Sequence, residues 1–288
     1  MKSNLHLPDT LSPGVPKIVT TSFNFNYYQK HGKKFLETFE KLWPEDIRVI
    51  AYYDEPVPIE FGERVVLRPI SEVGGWPEFE FKLKQWGPMA GHMPDGSYNI
   101  NFDAFMLRKV FIQQHVAHKF GGKIFWVDAD VFTHTKVPED FLDTVLPDDK
   151  VACYLGRKYV HTESGFLGFN ALLPETTVFL QIYRELIETG TFLTMSGWHD
   201  CWVFDAARGF FPCQDLLVDL AEGLPQNPEE PFGHPFINSV LGDFLDHAKG
   251  LRKKQGHSST ADLIVPKEGK YWEDIRKQEQ VEQQKEAA

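Results

Sequence analysis

The chain has 288 residues, enough for one α/β domain with extensions or for two smaller domains of about 150 residues each. Its 42% hydrophobic and 25% charged residues are those of an ordinary folded protein and exclude wholesale disorder. A net charge of −11 argues against sequence-independent binding to a polyanion, and three cysteines without a CxxC pair argue against a disulfide framework or a cysteine zinc site.

Residues 1–17 contain prolines but no basic-then-apolar leader pattern. No uncharged apolar stretch approaches the roughly 20 residues that span a bilayer, so a cytoplasmic chain without stable membrane insertion is expected. Residues 17–24 (KIVTTSFN) read as a short β-branched strand. Tyr28, Phe35, Leu36, Phe39 and Leu42 then recur at near-helical spacing over 27–43, stopped by Pro44. Residues 47–53 and 64–70 read as two further strands. Strand, helix, strand implies a mostly parallel sheet with crossover helices, the opening of a nucleotide-binding α/β fold.

From 71 to 100 the pattern breaks under a series of glycines and prolines interleaved with Trp76, Trp86 and phenylalanines. That composition suggests an inserted loop or helical flap over a substrate, or a structural insertion packed on the surface. Helical spacing returns over 102–120 and closes at Gly121-Gly122. Residues 123–131 (KIFWVDADV) read as a buried strand with two aspartates at its carboxyl end. Strands are expected over 151–155 and 165–170, and helices over 173–189, 198–207 and 236–249. A catalytic domain over 1–260 is expected, with 261–288 as an extension, partly disordered or helical.

Asp128-Ala129-Asp130 falls just past the end of a central strand, where open α/β sheets bind ligands. Two carboxylates so close repel each other, and a cation relieves that repulsion. Magnesium and manganese take oxygen ligands and bridge carboxylates to a diphosphate. Far along the chain, His247, Gly250 and Lys253 form H-x-x-G-x-x-K. Imidazole can supply a nitrogen to the same cation, glycine lets backbone approach a phosphate, and lysine offers charge to a diphosphate. Asp200, then Glu163, are the candidates for a further carboxylate acting at the same site. Thr20, Thr21 and Phe23, ending the first strand, are where topology would place a nucleoside base.

WVDADV with a distant HxxGxxK resembles the GT-A-fold glycosyltransferases of the glycogenin and bacterial lipooligosaccharide galactosyltransferase type. The resemblance implies a single GT-A-like domain and a metal-dependent hexosyltransferase-like activity with retention of configuration. It implies Asp128, Asp130 and His247 as ligands to Mn2+ or Mg2+, and Lys253 as a contact to the diphosphate of a nucleotide-sugar, a UDP-sugar first. It also implies a basic residue near the donor, matched by Arg108 or Lys109, and a small-residue strand, matched by Glu163 to Asn170 with Glu163 in place of an asparagine. Ala129 and Gly250 fall within the two donor motifs. The family's KPW ending is Lys253-Lys254-Gln255 here, and residues 71–100 have no counterpart.

The acceptor stays open among a glycan, a protein, a lipid-linked saccharide and a modified nucleobase, with duplex nucleic acid disfavoured by charge. The alternative is a haloacid-dehalogenase-like phosphohydrolase using Asp128 as nucleophile, with Asp243 hinting at its later acidic motif. Three strands precede the DxD here, whereas that family carries it on the first.

Overall fold

A computed structural model describes residues 16–55, 61–226 and 233–286. Most of the amino-terminal stretch and the last two positions of the tail lie outside the described residues. β1 (Lys17–Phe23) leads into a short helix α1 (Phe25–Tyr27), whose amino end is capped by the Asn24 side chain accepting from the Tyr27 N–H at 2.7 Å. A π turn over Tyr28–Gly32 joins it to α2 (Lys33–Leu42). β2 (Arg48–Tyr53) and β3 (Val65–Pro69) follow.

The region expected as an insertion folds as helix α3 (Trp76–Gln85) and an antiparallel hairpin of β4 (Ala90–His92) and β5 (Tyr98–Asp103). Helix α4 (Arg108–Phe120), β6 (Lys123–Val127), β7 (Val131–Thr133) and α5 (Phe141–Val145) come next. They are followed by β8 (Ala152–Leu155), β9 (Glu163–Asn170), α6 (Pro174–Glu188) and α7 (Asp200–Phe210). The chain continues through β10 (Leu217–Asp219), α8 (Pro235–Asn238), β11 (Leu245–His247) and α9 (Lys270–Glu286).

Seven strands form one sheet in the order β10-β8-β9-β6-β1-β2-β3. Its pairs are parallel except where β9 runs antiparallel between β6 and β8. The fold is therefore the mostly parallel α/β sheet flanked by helices that the sequence implies. The central strand β6 reads as an apolar run, Ile124 to Val127, because both of its faces are covered. Ile124 and Trp126 enter one core with α4, α6 and α7, whereas Phe125 and Val127 enter the other with α2, α5 and α8. Ile18 and Val19 divide in the same way, as side chains of period two must.

One expectation about the elements needs correction. Residues 236–249 do not form one helix. α8 ends at Asn238, a 3₁₀ turn spans Val240–Asp243, and β11 pairs antiparallel with β7. Gly242 lies so close to the Ile237 carbonyl that a Cβ would fall 1.9 Å from its oxygen, and the tight turn there ends the helix. β10 is a further strand, too short to show a period in the sequence. α9 is a helix within the 261–288 extension, and it is docked at its start. Trp272 is fully buried and its Nε1–H donates to the Gly242 carbonyl at 2.9 Å. No helix among the described residues is long and apolar enough to cross a membrane.

Candidate active site

β6 ends at Val127, and Asp128, Ala129 and Asp130 make the turn into β7. The Asp128 N–H donates to the Gly165 carbonyl at 3.0 Å, which ties the turn to β9. β11 pairs with β7 in the register His247 opposite Val131, so His247 arrives beside Asp130 although 117 residues separate them in sequence. The two motifs are joined by a strand ladder.

His247 Nε2 lies 3.2 Å from Asp130 Oδ1, and Lys253 Nζ ion-pairs with Asp130 Oδ2. Burial would raise the Asp130 carboxyl, but His247 and Lys253 hold it well below the ordinary carboxylate range. Burial pulls the His247 imidazole down, and Asp130 more than offsets this, leaving it above its ordinary value. Lys253 Nζ also lies 3.4 Å from the Tyr27 hydroxyl.

Lys109 is the second centre of charge. Its ammonium is buried 3.0 Å from Asp128 Oδ1 and 2.9 Å from Asp200 Oδ2, and it donates to the Ser164 carbonyl and hydroxyl at 3.0 and 3.1 Å. Burial opposes its charge, and the two carboxylates overcome that and hold it protonated. Asp200, also penalised by burial, is kept ionised chiefly by Lys109. Asp200 is the first residue of α7, where the helix N-terminus also favours negative charge. Trp126 completes the arrangement, donating from Nε1 to Asp128 Oδ1 at 2.6 Å.

These groups line a cavity of about 660 Å³ at the carboxyl ends of β1 and β6, the position open α/β sheets use for ligands. Asp128, Ala129, Asp130, Glu163, Asp200, His247, Gly250, Lys253, Arg108 and Lys109 all reach it. Arg108 pairs there with Asp54 at 3.1 Å. Gly250 has φ +56°, the left-handed region that a side chain would strain. Thr20, Thr21 and Phe23 do not line it: all three are fully buried, with Thr20 Oγ1 donating to the Ile50 carbonyl. The chain leaving β1 instead presents Ser22, Asn24 and Tyr27.

Glu163 is enclosed by cations. It ion-pairs with Lys249, Arg157 Nη1 lies at 3.9 Å, and its Oε1 lies 3.8 Å from His247 Nδ1. Arg157 was not anticipated. Lys249, within the HxxGxxK run, reads from the sequence as further charge for a diphosphate beside Lys253, and the fold pairs it with Glu163.

One ligand atom from each of Asp128, Asp130 and His247 lies within 4.8 Å of the others. Two carboxylates and an imidazole whose Nε2 faces Asp130 suit a divalent ion such as Mn2+, and the residues present fit that group. His199, Asp200 and Cys201 bring three more potential ligands together, and Lys109 pairs with both Asp128 and Asp200. Asp243, which the phosphohydrolase reading needs, pairs with Lys267 at 2.8 Å and stays outside the cavity.

No protein-family model matches the chain, and no curated protein matches it in sequence. Among solved structures it is similar to mouse xyloside xylosyltransferase 1, at 14% identity over 71% of this chain and 85% of that one, with TM-score 0.45. It is similar to the glycosyltransferase GlyE of Streptococcus pneumoniae TIGR4, at 14% identity over 72% of this chain and 45% of that one, with TM-score 0.44. The mannosyltransferase Ktr4p of S. cerevisiae matches at 11% identity over 72% and 69%, with TM-score 0.44.

Proposed function

We propose that this protein is a metal-dependent glycosyltransferase that moves a sugar from a nucleoside-diphosphate sugar, a UDP-sugar first, to an acceptor hydroxyl. The observation that carries this reading is the convergence of Asp128, Asp130, His247 and Lys253 at one cavity. A divalent ion held by Asp128, Asp130 and His247 would supply positive charge to the diphosphate. Lys253 places a second cation on the same side, and Gly250 keeps the backbone there free of a side chain. Ser22, Asn24 and Tyr27 offer polar and aromatic contacts to the nucleoside, in place of the buried threonines.

In the transfer, the acceptor oxygen bonds to the anomeric carbon while the carbon–oxygen bond to the diphosphate breaks. The electron pair leaves on the diphosphate, and the acceptor proton passes to it or to water. Asp200, held ionised by Lys109, is the carboxylate assigned to the cationic sugar. Glu163, tied to Lys249 and beside His247, is assigned to orienting the imidazole.

The test is a thermal-shift titration of nucleoside diphosphates and nucleotide-sugars with manganese and with chelator. A ligand that binds only the folded chain raises the midpoint by mass action. A manganese-dependent rise with a nucleoside diphosphate is expected. No rise with any nucleotide would remove the reading.

A further inference from the structure

The metal and diphosphate residues account for part of the cavity lining. The β4–β5 hairpin contributes another part, with Tyr98, Ile100 and Asn101, and Met106 lies just beyond it in the chain. This wall exposes apolar surface: Tyr98 is 55% and Ile100 54% exposed, unlike the buried aromatics of the core. The ring is nevertheless fixed. The Tyr98 hydroxyl donates to Asp103, whose other oxygen accepts the Phe105 N–H at 3.0 Å. The ring also meets His92 edge-on at 5.9 Å, and a Cβ on Gly91 would lie 2.6 Å from it.

The hairpin is also anchored at the reacting end. The Trp198 N–H donates to the Asn101 carbonyl at 2.6 Å, and the Phe102 and Trp198 rings pack at 5.1 Å. Trp198 is two residues from Asp200, so the hairpin is tied at Asn101 to the segment that leads into Asp200, and Tyr98 and Asp200 line the same cavity.

We infer that the β4–β5 hairpin is the acceptor subsite, with the Tyr98 ring as a stacking platform for a neutral pyranose. This deepens the glycosyltransferase reading and rests on it. A pyranose has an apolar C–H face that lies flat on an aromatic ring, and a rim of hydroxyls. Asn101 and His199 supply hydrogen-bonding groups to the same cavity. A polynucleotide acceptor, which could also stack, is disfavoured by the net charge of −11.

The test uses the full chain, saturation-transfer NMR with methyl α- and β-D-gluco-, galacto- and xylopyranosides, and thymidine and cytidine as aromatic controls. Nucleoside-diphosphate binding is measured separately by calorimetry with manganese. At least one pyranoside is expected to bind, with affinity falling about tenfold in Tyr98→Ala and kept within twofold in Tyr98→Phe. Nucleotide affinity is expected to hold in both variants. Ile100→Asp provides an independent check on the same wall and is expected to weaken the pyranoside. No pyranoside signal in the wild type, an unchanged signal in Tyr98→Ala and Ile100→Asp, or a Tyr98-dependent signal from the nucleosides alone would overturn the inference. Failure of nucleotide binding in the wild type would instead overturn the transferase reading.

Discussion

The imidazole of His247 packs directly on Gly165: a Cβ at that position would lie 2.7 Å from two of its ring atoms and 2.9 Å from Glu163 Oε1. Gly165 therefore has to lack a side chain for a reason of space, since its backbone is ordinary extended strand. Replacing it forces the ring away from Asp130. Gly165→Ala is expected to weaken manganese affinity about tenfold or more, read by calorimetry. Unchanged affinity would show that the ring has room to yield.

Asp130 is shared between His247 and Lys253, so removing its charge releases both. Asp130→Asn is expected to abolish the manganese-dependent part of nucleotide binding while leaving the secondary structure intact. Thermal shift with and without chelator separates the two contributions. Retained manganese dependence would remove Asp130 from the ligand set.

Lys253→Ala leaves the three candidate metal ligands in place and takes one cation from the diphosphate side. A loss of one charge-assisted contact corresponds to nucleoside-diphosphate affinity lower by about tenfold. Affinity for the nucleoside alone should fall less, because, of the three residues assigned to it, Lys253 meets Tyr27, at 3.4 Å from its hydroxyl. Equal loss for both ligands would point to a general disturbance of the cavity.

Lys109, itself buried, neutralises the part-exposed Asp128 and the buried Asp200. Breaking a buried ion pair costs about 3–5 kcal/mol because the remaining charge is stranded. Lys109→Met is expected to be destabilised on that order in urea unfolding, and Asp200→Asn in the same chain should restore part of the loss. Additive losses in the double variant would mean that the pair is not coupled.

His234 is held down to about 4 by burial and then by neighbouring His247, and its Nε2 lies 2.9 Å from the His247 carbonyl. Above the ordinary imidazole value of 6.5, both folded and unfolded chains carry it neutral, and it contributes no pH dependence. Below 6.5 the unfolded chain takes up a proton that the folded chain refuses, so stability falls as the pH falls toward 4. From pH 6.5 to 5 this single group removes about 2 kcal/mol. His234→Gln should flatten the pH dependence of unfolding by close to one proton across that window; an unaltered slope would assign it elsewhere.

The chemistry of the site was more legible than its supports. Asp128, Asp130, His247 and Lys253 stand out because binding a cation and a diphosphate restricts residue type and spacing over a few consecutive positions. Lys109 was visible only as one of two adjacent basic residues. Its role depends on α4 facing both the end of β6 and the start of α7, and no local pattern records that meeting. Residues 236–249 were misread because Phe236, Leu241 and Leu245 are spaced as on a helix while being buried by a turn and a strand. At the end of β1, alternation on a sheet covered on both faces cannot distinguish Thr20 and Thr21 from Ser22. Only the fold decides which residue leaves the sheet for the cavity.

The ladder between β7 and β11 has a consequence for biosynthesis. A ribosome releases the DxD turn well before His247 and Lys253, so Asp128 and Asp130 are made long before the groups that meet Asp130. During that interval Asp130 lacks the imidazole and the ammonium of the later segment. The candidate site is therefore completed late in the life of the chain, and a chain stopped before residue 247 would lack one of its three candidate metal ligands. Metal added during refolding would then act as a clamp between an early and a late part of the molecule.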